Sequence, residues 1–189
     1  MADGNKVKFG LKNVHYAKIT ETGGAITYGT PVAIPGAVNL SLDAEGDTTN
    51  FAADDNAKYY TTASNAGYSG DLEDAKFPDS FYTDIFGFIT NTDGTVFEDA
   101  GAEPAKFALL FEFSGDANKT RHVMYYCTAT RPAVASGTTG DSKEPTTESS
   151  TITAAPLPAD ANGHQIVRAK CATGDADYAD WYQAVVVYA

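Results

Sequence analysis

The chain has 189 residues, enough for one well-formed core and short for two, so a single domain over 1–189 is expected. It carries 25 acidic against 13 basic side chains, a formal net charge of -12, which excludes a nucleic-acid grip built from Lys and Arg and favours solubility or repulsion of polyanions. With 11 Tyr, 10 Phe and abundant Thr, Gly and Ala, the composition favours sheet over a helix bundle.

Cys127 and Cys171 are too few and too far apart for a Cys-x-x-Cys metal site or a disulfide framework, and buried thiols are the expected state. The first ten residues lack the apolar run of a signal peptide, and no stretch reaches the length of a membrane span. Synthesis and folding in the cytoplasm are therefore expected.

In chain order, residues 14–20 and 25–33 flank Gly23-Gly24 and predict a hairpin, because paired glycines supply the positive φ that a tight turn requires. Pro35-Gly36 marks a turn. Val38, Leu40 and Leu42 then alternate with Asn39, Ser41 and Asp43, the pattern of a half-buried strand. Residues 43–58 change character, with Phe51 as the one large apolar side chain, and predict a long projecting loop. Such a loop is either a docking arm or a solvated segment.

Residues 59–73 are small and hydroxylated with no Val or Ile. They either line a wet surface or form an edge strand followed by a turn. Pro78-Asp79-Ser80 predicts the start of a helix over 78–89, capped by Asp or Ser. Phe81, Tyr82, Ile85, Phe86 and Ile89 fall on one face of it, and Asn91–Gly94 end it.

Residues 105–131 carry two apolar runs around a Gly/Asp/Asn cluster, a hairpin signature. Phe107, Leu109, Phe111 and Phe113 share one face of the first arm, as Val123, Tyr125 and Cys127 share one face of the second. Ala108, Leu110, Met124 and Tyr126 lie opposite, beside Glu112 and His122, so cover is needed on both sides. A second sheet, a helix or another copy of the chain could supply it. A mobile loop over 136–150, a strand at 150–155, and a closing strand pair at 165–171 and 181–188 complete the reading; no internal repeat is present.

Marks of catalysis are absent. Gly67-Tyr68-Ser69-Gly70 misses the Gly-x-Ser-x-Gly elbow by one position and reads as a turn. His15, His122 and His164 have no metal-ligand spacing. The acidic clusters Asp43/Glu45/Asp47 and Asp175/Asp177/Asp180 lack EF-hand geometry and read as solvated loop carboxylates. No enzyme, cofactor or resident metal is expected.

The order of three segments resembles the major tail tube proteins of long-tailed, non-contractile bacteriophages. These are Ile34-Pro35-Gly36-Ala37-Val38-Asn39-Leu40-Ser41-Leu42 before an acidic stretch, Asn65-Ala66-Gly67-Tyr68-Ser69-Gly70-Asp71-Leu72-Glu73 before a Phe-bearing helix, and Arg121-His122-Val123 through Cys127-Thr128-Ala129-Thr130-Arg131-Pro132. The resemblance implies a β-sandwich or barrel-like core with one flanking helix, and six copies in a ring. Stacked rings would form the conduit for DNA ejection in the virion tail. It also implies tape measure, tail terminator and baseplate or distal tail proteins as partners, with DNA crossing the lumen unbound and no membrane involved.

On that basis Asp47, Phe51, Asp54, Asp55 and Lys58 are candidate contacts between subunits or rings, and Asn39, Ser41, Asp43, Ser69, Asp71 and Glu73 are candidate lumen-facing residues. The 136–150 loop would sit outside the tube or between rings. The competing reading is a monomeric β-sandwich that binds carbohydrate or a cell surface through exposed Tyr and acidic loops.

Overall fold

A computed structural model describes residues 7–138 and 145–188 of the chain. The elements run β1 (Leu11–Thr22), β2 (Ala25–Tyr28), β3 (Val32–Ala33), β4 (Ala37–Glu45), β5 (Thr48–Ala53), β6 (Asn56–Ala63) and β7 (Gly67–Asp74). After them come α1 (Asp79–Ile85), β8 (Ile89–Thr90), β9 (Val96–Phe97), β10 (Phe107–Phe113), β11 (Arg121–Ala129), β12 (Glu148–Ala154) and β13 (Arg168–Cys171). Among the described residues the fold is mainly β, with one α-helix and antiparallel sheets in a sandwich-like arrangement.

The two apolar arms of the central hairpin form β10 and β11 and dictate the rest. They sit inside a nine-stranded sheet ordered β2-β1-β10-β11-β12-β7-β4, with β13 added to β11 and β3 to β1. Phe107, Leu109 and Phe111 of β10 point one way, with Val14 and Tyr16 of β1, Met124 and Cys127 of β11, Ile152 of β12 and Leu72 of β7. The sheet curls around α1, whose Phe81 and Ile85 are fully buried in this cluster. Each such side chain contributes about 1.5–3 kcal/mol on leaving water.

Ala108, Leu110, Val123 and Tyr125 point the other way, into a second cluster with Ala17, Cys171 and Trp181. The double cover expected for this hairpin is thus intramolecular, a helix and curled sheet on one side and the C-terminal segment on the other. Trp181 Nε1 donates to the His122 carbonyl at 3.4 Å and the Tyr125 hydroxyl to the Val186 carbonyl at 2.7 Å, which pins that segment down.

Several elements differ from the sequence expectation. In β11 the register advances by an extra residue, since Leu109 faces Met124 whereas Phe107 faces Cys127. This bulge moves Cys127 onto the Met124 side, away from Val123 and Tyr125. The helix expected over 78–89 spans only Asp79–Ile85, because Phe86 is its C-cap and Gly87 at φ 71 stops it. Ile89 falls in β8 and is exposed, and the N-cap is Pro78, with no side-chain cap from Asp79 or Ser80. Of the closing pair only β13 forms, against β11, while residues 181–188 form no strand and lie across the outer face.

Gly67–Gly70 is not a turn but the start of β7. A Cβ on Gly70 would meet the Ser41 carbonyl oxygen at 1.9 Å, so the glycine lets β4 approach β7. Part of the 136–150 segment, 139–144, lies outside the described residues, as do the first six residues and Ala189.

The antiparallel register fixes what sits at each end of the sheet. Gly67 of β7 pairs with Glu45 of β4, the end from which β5 and β6 leave, whereas Asp74 pairs with Ala37 and Glu148 and leads into α1. Eight residues of strand at ~3.3 Å each hold these two ends about 23 Å apart.

Candidate functional site

Two surfaces are built from the residues singled out in the sequence. The first is a polar sheet face. Asn39, Ser41 and Asp43 of β4 stand opposite Glu73, Asp71 and Ser69 of β7, so all six share one face, as a period of two requires. On the far side of β7, Glu73, Asp71 and Ser69 face Ser149, Thr151 and Thr153 of β12. The nine side chains include three carboxylates and no cation. Thr151 donates to Asp71 Oδ1 at 2.8 Å, and Thr147 donates to Glu73 Oε1. The alternate residues Leu40, Leu42, Leu72, Ile152 and Ala154 face the core. Of the stretch without Val or Ile, residues 67–73 thus form a wall wetted on one side and packed on the other, whereas residues 59–63 belong to the separate β5–β6 hairpin.

The second surface is the segment expected as a structureless loop at 43–58. It is an ordered arm instead: β4 continues to Glu45, and β5 and β6 form a separate two-stranded hairpin. Asp54 and Asp55 adopt φ of 49° and 57°, the double positive φ of a tight hairpin turn. The strands were hidden in the sequence because neither face is buried, which leaves no apolar alternation to read. Every residue of the arm's strands is exposed except half-buried Ala53.

Phe51 pairs across the arm with Tyr60, each about 60% exposed, and Tyr59 is equally bare on the other face. Asp47 sits at the base, where its backbone exchanges hydrogen bonds with Ser64. Asp54 and Asp55 form the tip, and Lys58 lies on β6 with its amide bonded to Asn56 Oδ1 at 3.0 Å. The five candidate contact residues thus lie along one arm. An isolated two-stranded hairpin is marginal in water.

A third arrangement joins residues far apart in the chain and leaves no local pattern in the sequence. Glu112 is 5% exposed and is held by Lys12 Nζ at 3.2 Å, Asn13 Nδ2 at 2.6 Å and Arg121 Nε at 3.1 Å. A bulge in β1, with Asn13 at φ 52, turns Asn13 toward it. The Arg121 guanidinium lies over the Tyr178 ring at 3.9 Å and near that of Tyr182 at 4.9 Å. Burial alone would raise the Glu112 carboxyl, but the bonds from Lys12, Asn13 and Arg121 outweigh it and hold the group below the usual carboxylate range. Arg121 Nη1 also donates to the Tyr178 carbonyl, so the knot ties β1, β10, β11 and the C-terminal segment together.

The remaining candidate chemistry disperses. His15 stacks on Tyr182, His122 on Phe111, and His164 approaches Asp160 at 3.2 Å, three separate environments. Asp175 accepts from the Ala172 amide at 2.7 Å and serves its own turn. Among the described residues no group of three or more His, Cys, Asp or Glu is placed to hold a metal ion. Both thiols are free and buried on opposite sides of the central strands, and burial pushes Cys127 up to about 12. No helix among the described residues is long and apolar enough to cross a membrane. Compared with protein-family models and with curated proteins, the chain matches none.

Proposed function

We propose that this chain is the repeating subunit of a hollow polymer, the tail tube of a long-tailed, non-contractile bacteriophage, in which six copies close into a ring and rings stack. The observation that carries the reading is the bare β5–β6 arm, an ordered hairpin that presents Phe51, Tyr59 and Tyr60 to solvent and has almost no contact with its own body. A surface of this kind is stabilised by a neighbour. Contacts around a ring close on themselves, whereas head-to-tail contacts along the axis do not, and they build a filament.

The polar face suits the bore. Three carboxylates without a compensating cation, on a chain of net charge -12, repel phosphate, so DNA slides past without trading counterions for lysines or arginines. In this reading Asn39, Ser41, Asp43, Ser69, Asp71 and Glu73 face the lumen. Tape measure, terminator and distal tail proteins then engage the inside and the two ends of the polymer.

Sedimentation and negative-stain microscopy over a concentration series test the proposal. Rings or tubes are expected as concentration rises, and deletion of residues 51–55 is expected to leave a folded subunit that does not polymerise. A compact monomer at every concentration that binds sugar would overturn the proposal in favour of a monomeric binding module, and normal tubes from the deletion would remove the arm from it.

A further inference from the structure

Resting on the self-assembly reading, a second feature specifies what the arm docks on. At the α1 end of the sheet, α1, β9 and the segment following β11 enclose an open groove of about 820 Å³. Its apolar lining includes Tyr82, Phe88, Val96, Pro132 and Val134. Val134 is completely exposed, and Ile89 and Phe97 of the adjoining β8–β9 hairpin are more than half exposed. Single apolar residues on a surface are ordinary, but a groove that mixes apolar side chains with Asp79, Glu98, Thr130 and Arg131, beside bare Val134, Ile89 and Phe97, has the character of an interaction site.

We infer that this groove receives the β5–β6 arm of a second copy of the chain, with the Phe51–Tyr60 pair seated against Val134 and Pro132. Two observations favour a second copy over any other occupant. The first is placement, since β5 and β6 leave the sheet beside Glu45 and Gly67 while the groove opens beside Asp74 and Glu148. Arm and groove therefore occupy opposite ends of the same strands, and displacing one copy along the strand direction carries its arm toward the groove of the next. A contact of that geometry repeats without closing.

The second is the match of surfaces. The arm offers two aromatic rings on one face, and rings of that size are the side chains that most often anchor an interface by filling an apolar pocket.

The test uses the full chain. Val134→Asp alters a side chain already in solvent, and Tyr60→Asp attacks the same contact from the arm. Each is expected to raise the concentration needed for polymerisation about tenfold or more without shifting the melting temperature. Chains carrying Tyr60→Cys mixed with chains carrying Val134→Cys are expected to form a disulfide-linked pair on mild oxidation that neither forms alone, because Cys127 and Cys171 are buried. Wild-type polymers with unaffected Val134→Asp assembly, or a cross-link formed by Tyr60→Cys chains alone, would overturn this docking while leaving self-assembly standing. A wild-type chain monomeric at every concentration would overturn both.

Discussion

Replacing Glu112 by Gln keeps the shape of the side chain and removes its charge, so the variant isolates what the Glu112 knot contributes. Breaking a buried ion pair by removing one partner costs about 3–5 kcal/mol when both charges are fully desolvated. Here the side-chain exposures are 6% for Glu112, 18% for Arg121 and 49% for Lys12, so only the Arg121 contact approaches that limit. A loss of about 2–3 kcal/mol is expected once solvent screening of Lys12 is allowed for. For a chain of this length it corresponds to a drop of roughly 5–10 °C in melting temperature.

Lys12→Gln, at the exposed end of the same knot, is expected to cost less than about 1 kcal/mol. Because the folded-state carboxyl is held low, its contribution is present above the unfolded value near ~4.3 and is lost as pH falls through the folded value. Thermal denaturation of wild type and Glu112→Gln between neutral and acid pH should therefore show a gap that closes on acidification. A gap that stayed constant with pH, or a Lys12→Gln loss equal to that of Glu112→Gln, would refute the assignment of the knot's stability to a desolvated carboxylate.

Asp74 has the opposite sign. It is fully buried with Oδ2 unpartnered, and burial raises its carboxyl, opposed by the Lys76 amide and assisted by Glu148. Its stabilisation is therefore present below the unfolded value and lost as pH rises through the folded one, so Asp74→Asn should gain stability relative to wild type at neutral pH and little at acid pH in the same melting series. Gly70→Ala should push β4 from β7 and destabilise the fold by more than the few tenths of a kcal/mol typical of a surface substitution, read by denaturant unfolding and by faster amide exchange in β4. Phe51→Ala with Tyr60→Ala should leave the melting temperature within about 1–2 °C of wild type, because those rings are uncovered in the monomer, while abolishing polymers under the microscope. A thiol reagent should modify neither Cys127 nor Cys171 in the native chain and both after unfolding.

What was legible in the sequence follows from which faces are buried. The alternation of Val38, Leu40 and Leu42 with Asn39, Ser41 and Asp43 marked β4 because one of its faces packs and the other is wet. The continuous run Phe107–Phe113 marked a strand covered on both sides. The β5–β6 arm left no such trace, since a hairpin bare on both faces has no reason to alternate, and its turn uses Asp-Asp where Asn-Gly would have announced it. The bulge that reverses Cys127, the stop of α1 at Gly87 and the Glu112 knot all depend on long-range packing. Asn13 and Glu112 are 99 residues apart in the chain, beyond the reach of any local pattern. The six polar residues on β4 and β7 were recoverable because their lack of bulk was itself a signal, although only the register shows that they stand in facing pairs.

The outer cover of the central strands gives the molecule a built-in optical reporter. Trp181 is the sole tryptophan, is 3% exposed, and belongs to the C-terminal layer rather than to the layer around α1. Its emission therefore monitors the seating of one layer, while the many tyrosines average over both. A red shift that precedes loss of the far-ultraviolet sheet signal would mean that the tail segment detaches first, as a flap, from an otherwise intact scaffold.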